Sequence, residues 1–378
     1  MVAGSLLLGG IALAPVQLGG LGRHDFFPYW ASAHLLIGGT NPYDYDAIVA
    51  LMAEVVPDRE TIEQAWNPPW LAVVLIPLAV LPYDAAVRIW LMFNLLAVNG
   101  VIWLIWRWAS SSRRRPPIWL PLLGLGFYAA LVMISIGQIV VIILLGLVAC
   151  LAALRAGRDG WAGAALVLTL GKPQLVYLAV PLILIWAAQQ RRWRVWLGLI
   201  GAWLMTLIVA TVLSPNWLSG YLTATTGHDF FTKLSATISG VVKAYTGSDA
   251  LRFSGVLTLL LIPWLLRLIG RRDLLTGVNT ALLISLPLAP YGWSFDQIVL
   301  LPAIVQLTVW LISLERSQRR RYGLTLTAIY VAAFGLKLAG WGDFLFVWVP
   351  IALGGLYARV YRARFERSRK TRLELCPT

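Results

Sequence analysis

Of 378 residues, 59% are hydrophobic and only 13% are charged, about half the charged fraction of a soluble domain. Apolar runs close to the ~20 residues that cross a bilayer recur from end to end and leave no polar stretch long enough for a separate soluble domain. The formal charge of +14 would suit nucleic acid, but 23 of the 31 basic residues fall in six short clusters between apolar runs, which is the positive-inside pattern of cytoplasmic loops.

With lipid as solvent, backbone groups must be satisfied within each segment, and the Leu-rich runs lack the period-2 alternation of an outer-membrane barrel. The expectation is an all-α polytopic membrane protein, one transmembrane domain over 1–378. The two cysteines, Cys150 in an apolar run and Cys376 in the tail, have no zinc spacing and no plausible mutual bridge.

The first 20 residues are apolar and lack a basic n-region, so they read as a first transmembrane helix rather than a cleaved signal peptide. A polar loop follows. Residues 22–66 hold seven of the 17 acidic residues and only Arg23 and Arg59 as cations, a bias that suits the outer side. Within it, Asp25–Ile37 reads as a short amphipathic helix ending at Gly38-Gly39. The turn Thr40-Asn41-Pro42 leads to a second helix near Tyr45–Val55.

Asn67-Pro68-Pro69 opens an apolar stretch to Leu81. If this stretch and 84–106 both crossed, Arg113–Arg115 would lie outside. The positive-inside rule therefore favours a re-entrant or interfacial 67–82, a geometry its four prolines suit. The outer loop then extends over 22–83. Paired spans are predicted near 118–135 and 138–154, 160–171 and 173–189, 195–213 and 250–269, 275–290 and 297–314, and 323–339 and 344–358. The total is about twelve, with both termini cytoplasmic and a basic tail at 359–378. That tail could also touch anionic lipid.

Outside the six clusters, eight basic residues remain: Arg23, Arg59, Arg88, Lys172, Lys233, Lys243, Arg252 and Lys337. On this topology nearly all lie at or near the outer surface, where a charge at membrane depth is a functional candidate. An outer carboxylate with outer cations suits transfer of a sugar from a lipid-linked phosphate. Arg or Lys would stabilise the departing phosphate. The carboxylate would take the proton of the attacking hydroxyl. A single displacement of this kind inverts the anomeric centre.

Several motifs carry a resemblance. They are Arg23-His24-Asp25-Phe26-Phe27-Pro28-Tyr29-Trp30, then Gly39-Thr40-Asn41-Pro42-Tyr43-Asp44, Asn67-Pro68-Pro69-Trp70 through Pro82, Gly137-Gln138, Gly171-Lys172-Pro173, and Pro290-Tyr291-Gly292-Trp293-Ser294-Phe295-Asp296. In this order they resemble glycosyltransferase family 87, which includes polyprenyl-phosphate-mannose-dependent mannosyltransferases of the GT-C superfamily. The resemblance covers roughly 22–190 and 285–302. It implies a GT-C-type fold with interfacial helices in the first outer loop, an active site on the outer side of the cell (plasma or inner) membrane, and a catalytic Asp at the position of Asp25. The donor would be a polyprenyl-phosphate-linked sugar, the acceptor a glycolipid or glycan, and no cofactor or metal is implied. The family's late motif often ends in histidine where this chain has Asp296.

Each candidate also has a plainer reading. Asp25 and Asp44 both precede helices and could be N-caps; the resemblance favours catalysis for Asp25, whereas capping is favoured for Asp44 over sugar binding. Lys172 is assigned to the donor phosphate, with a structural carboxylate as the alternative. Arg88 either binds that phosphate or snorkels. Gln138 lines the sugar pocket or caps a helix. Tyr29, Trp30 and Trp293 are sugar- or acceptor-side candidates, with an interfacial aromatic belt as the default for the tryptophans. His228 and Asp296 are acceptor-side candidates. His24 and His34 read as structural. Two other functions remain open on the residues: a transporter or lipid flippase, and a non-catalytic protein of envelope assembly.

Overall fold

The computed structural model describes residues 21–57, 66–110, 116–226, 233–270 and 273–375, with side chains to 364. The expected first span, at 1–20, lies outside the described residues. Every regular element among the described residues is helical. By contacts the chain divides into two compact units. The first comprises 1–97, 132–173 and 183–233, and the second 98–131, 174–182 and 234–378.

The principal helices of the first unit are α1 (Phe26–Ile37), α2 (Tyr45–Val55), α3 (Pro69–Ala79), the start of α4 (Tyr83–Ala109), the end of α5 (Tyr128–Ile136), α6 (Val140–Arg155), α7 (Asp159–Leu166) and α8 (Arg194–Leu213). Helix α1 stops as Gly38-Gly39 foretells. Gly39 takes φ +75°, and the Gly39 and Thr40 N–H groups return to Leu36 O (3.2 Å) and Leu35 O (3.0 Å), which satisfies the end carbonyls in a Schellman turn. The expected amphipathic character is not found: nine of the twelve α1 residues are buried. Helix α3 covers one side of α1. Trp30 Nε1 donates to Leu81 O (3.2 Å) and the His34 ring bonds Ala79 O (2.9 Å).

Helix α3 starts on Pro69 and contains Pro77. Eleven residues at ~1.5 Å each extend about 16 Å, roughly half a hydrocarbon core. The α7–α8 contact depends on glycine. A Cβ on Gly163 would lie 1.9 Å from Val195 O, and one on Gly198 would lie 2.0 Å from Gly160 O; small residues let helix backbones approach this closely. Arg192, from one of the basic clusters, locks the same joint by pairing with Asp159 and donating to Leu154 O (2.9 Å).

In the second unit, α9 (Ile238–Thr246), α10 (Leu274–Ser285), α11 (Leu301–Ile312), α12 (Arg316–Leu338) and α13 (Trp348–Leu375) are the main helices. Ten of the twelve α11 residues are buried, and α10, α12 and α13 all pack on it. Gln306 joins three of these helices: its amide donates to Thr276 Oγ1 (2.9 Å), and its carbonyl accepts from Asn279 (2.7 Å) and Tyr357.

Four helical stretches among the described residues are long and apolar enough to cross a membrane: Tyr83–Ala109, Arg194–Leu213, Ser294–Ile312 and Asp343–Arg364. Among the described residues, the predicted span 323–339 lies in the long but more polar α12 (Arg316–Leu338), and the remaining predicted spans coincide with shorter helices. Proline breaks several of them. The run 173–189 divides into Pro173–Val176 and Ala179–Gln189, and 254–269 is a 3-10 segment followed by a helix that opens at Ile262-Pro263. Among the described residues, a count of about twelve continuous spans is therefore not confirmed.

Candidate active site

The site is assembled in the first unit from the turn before α1, the turn after α5 and the junction before Pro173. Helix α5 ends at Gly137, with φ +78°. Gly137 N bonds Ile134 O (3.3 Å) and Gln138 N bonds Met133 O (2.9 Å), a second Schellman turn. A side chain at 137 is excluded twice over. The φ is left-handed, and a Cβ would lie 2.1 Å from Gly22 O. That proximity brings the chain before α1 alongside: Gly22 N donates to Ser135 O and Asp25 N to Ile136 O, both 2.7 Å. Trp90 Nε1, from α4, closes on Gly137 O (3.1 Å).

Asp25 precedes α1, yet its carboxylate makes no capping bond to that helix. Its Oδ1 lies 2.6 Å from His24 Nδ1, and its Oδ2 accepts from Gln138 Nε2 at 2.7 Å. Gln138 Oε1 in turn accepts from Tyr29 OH (3.2 Å), Lys172 Nζ (3.3 Å) and Ile139 N (3.2 Å). Gln138 and Lys172 are buried, whereas Asp25 keeps 22% of its side chain exposed and His24 65%. One amide thus separates a part-exposed carboxylate from a buried ammonium.

Lys172 is placed by two further motifs. Asn67 Nδ2 donates to Gly171 O (2.9 Å), and Tyr43 OH donates to Asn67 O (2.8 Å). Burial, reinforced by Tyr221, raises the Tyr43 phenol above its ordinary range, so it stays a neutral donor. The sequence segments around Asp25, Tyr43, Asn67, Gln138 and Lys172 therefore meet in a continuous set of hydrogen bonds.

The remaining candidates are distributed as follows. Asp44 caps α2, accepting from Ala47 N (3.1 Å). The Trp30 ring is buried and stacks on His34. Arg88 lies in α4 and makes no hydrogen bond or ion pair among the described residues. His228 lies outside the described residues. Arg23 pairs with Asp84 (2.8 Å), and its guanidinium lies over the Tyr83 ring.

Trp293 and Asp296 belong to the second unit. Asp296 is 1% exposed and accepts from Trp293 N (2.9 Å). The same turn is braced by Ala236 N on Gly292 O (2.7 Å), and by Ser294, whose N and Oγ both donate to Asp343 (2.9 and 2.8 Å). Lys337, one of the eight cations outside the clusters, has Asp343 as its partner at 2.9 Å. Lys243 and Arg252, two more of the eight, converge on Asp249. The Arg252 bond above all, then Lys243, holds that carboxyl below its ordinary range.

Sequence reasoning treated His24 as structural and assigned nothing to Asn67 or Tyr43 beyond their motifs. Adjacency to Asp25 was the available signal for His24. For Asn67 no local signal exists, because its partner is 104 residues away.

Residues 66–334, most of the chain, match the family model of glycosyltransferase family 87. Gln138, Lys172 and Asp296 lie within the match and Asp25 upstream of it. No curated protein and no solved structure gave a significant match.

Proposed function

We propose, from the premise that the chain belongs to glycosyltransferase family 87 and is a membrane glycosyltransferase, that it moves a hexose, mannose in the first instance, from a polyprenyl-phosphate donor to a glycolipid or glycan acceptor on the extracytoplasmic side. The acceptor hydroxyl attacks C1 of the sugar and its proton passes to Asp25. The C1–O bond to phosphate breaks on the opposite side, so the configuration inverts. The phosphate leaves with added negative charge, which Lys172 and Arg88 take up. The GT-C-type architecture belongs to the same proposal.

The observation that carries this reading is the freedom of Asp25 from capping. A carboxylate at a helix start that bonds no helix N–H, keeps part of its surface exposed and lies one amide from a buried lysine has the parts that a base and a phosphate partner require. Asp44 and Trp30 are engaged in holding the fold, which leaves Tyr29 as the sugar-side candidate of the first unit. The test is transfer from polyprenyl-phosphate-[14C]mannose to membrane lipid extract by purified protein, comparing wild type with Asp25→Asn. Equal transfer by the two would refute the mechanism.

A further inference from the structure

We propose that Gln138 is a positioning residue for this transfer, an amide that orients the Asp25 carboxylate and keeps Lys172 from pairing with it directly; the inference rests on the reading of Asp25 as the base. Side-chain amides can be placed either way round from shape alone, but here chemistry settles the orientation. Lys172 Nζ and Ile139 N are donors only, and both face Oε1. An ionised carboxylate is an acceptor only, and it faces Nε2. Reversal would set a carbonyl against the carboxylate and N–H groups against an ammonium.

Both ends of this bridge are fixed by backbone. Gln138 follows the left-handed Gly137, and Asp25 is held to the same turn through Ile136 O. The amide therefore presents its positive end to the base and its negative end to the lysine. An ammonium in direct contact would favour the carboxylate's charge so strongly that its basicity would fall. The intervening amide orients Asp25 by one bond to Oδ2 and leaves Lys172 a point of attachment that is neutral. With three donors already on Oε1, Gln138 is poorly suited to be a sugar contact.

Among the described residues, the charged and titratable groups around Asp25 are His24 on Oδ1, Lys172 behind the amide, Tyr29 on α1, and the Arg23–Asp84 pair with Tyr83 from α4. Of these, Tyr29 and Lys172 lose their Gln138 acceptor when the amide is removed, whereas His24 and the Arg23–Asp84 pair keep their partners. The experiment measures kcat/KM and donor KM from pH 5 to 9 (roughly, spanning carboxylate and histidine titration) for full-length protein in lipid nanodiscs. The substrate is polyprenyl-phosphate-[14C]mannose, and the proteins are wild type, Gln138→Glu, Gln138→Met and Asp25→Asn. Gln138→Glu places a second carboxylate against Asp25 and is expected to move the acid limb upward by about one pH unit. Gln138→Met matches the volume without the amide. It lets the Lys172 ammonium approach Asp25 and is expected to shift the limb downward and to lower kcat roughly 10- to 100-fold.

A limb unmoved in both variants, with changes confined to donor KM or sugar choice, overturns the inference and leaves the base reading standing if Asp25→Asn is inactive. Full activity in Asp25→Asn overturns both. Should Gln138→Glu fail to melt cooperatively, Gln138→Met decides alone.

Discussion

Replacing Asp25 by asparagine separates its chemistry from its packing. The carboxamide has the same shape, and its oxygen can keep the bond from Gln138 Nε2 while its amide faces His24. The helix loses no cap, because Asp25 makes no capping bond. Thermal stability should therefore stay within about 1 kcal/mol, the scale of a single hydrogen bond. Activity should not. A positioned general base contributes about 10²–10⁴-fold, which corresponds to roughly 3–5 kcal/mol of barrier at 1.36 kcal/mol per decade. The assay is single-turnover transfer from polyprenyl-phosphate-[14C]mannose, with donor binding measured in parallel by protection against thermal unfolding. Donor binding should persist in the variant while the chemical step collapses. A rate within roughly threefold of wild type, under 1 kcal/mol of barrier, would refute the base assignment.

Lys172→Met should raise the donor KM roughly 10- to 150-fold, the equivalent of one charge-assisted bond of about 1.5–3 kcal/mol, as read from initial rates across donor concentration. Gly137→Ala must abandon a left-handed turn and open a contact that a Cβ would close to 2.1 Å. It should lose at least about 1 kcal/mol in a thermal melt and lose activity with it. Asp44→Ala should cost about 1 kcal/mol through the α2 cap with kcat/KM unchanged; lost turnover in a folded variant would return Asp44 to the site. The ion pairs of Asp249 are formed above its ordinary value of 3.8 and are lost as pH falls through the lower folded value. Hydrogen exchange over 243–252 should therefore accelerate in strong acid, and Asp249→Asn should abolish that dependence.

The order of helices and their punctuation are local properties. Composition and hydrophobic run length require helices in lipid, and glycine pairs, prolines and Asp44 mark where they stop and start. The second loop helix is found at Tyr45–Val55, where those signals place it. The short α3 likewise follows from its prolines. What run length cannot report is whether an apolar stretch forms one helix or two. The prolines of 173–189 and 250–269 permit the breaks between Val176 and Ala179 and before Ile262 without requiring them, and so among the described residues the count of long helices falls below the count of runs.

The buried α1 is another such case. Its exposure depends on α3, which reaches it only after the chain has passed through 30 intervening residues from Gly39 to Pro68.

Asp25 shows the same division at the level of chemistry. By sequence it is an acidic residue before a helix, open to a capping and a catalytic reading alike. Its carboxylate bonds Gln138, 113 residues away, and caps no helix N–H, at a backbone turn that only glycine at 137 permits. Residue type and local spacing set what Asp25 and Lys172 can do. Tertiary structure alone brings the carboxylate and the ammonium to opposite ends of one amide, because hydrogen bonds across such separations form only when the intervening helices have packed.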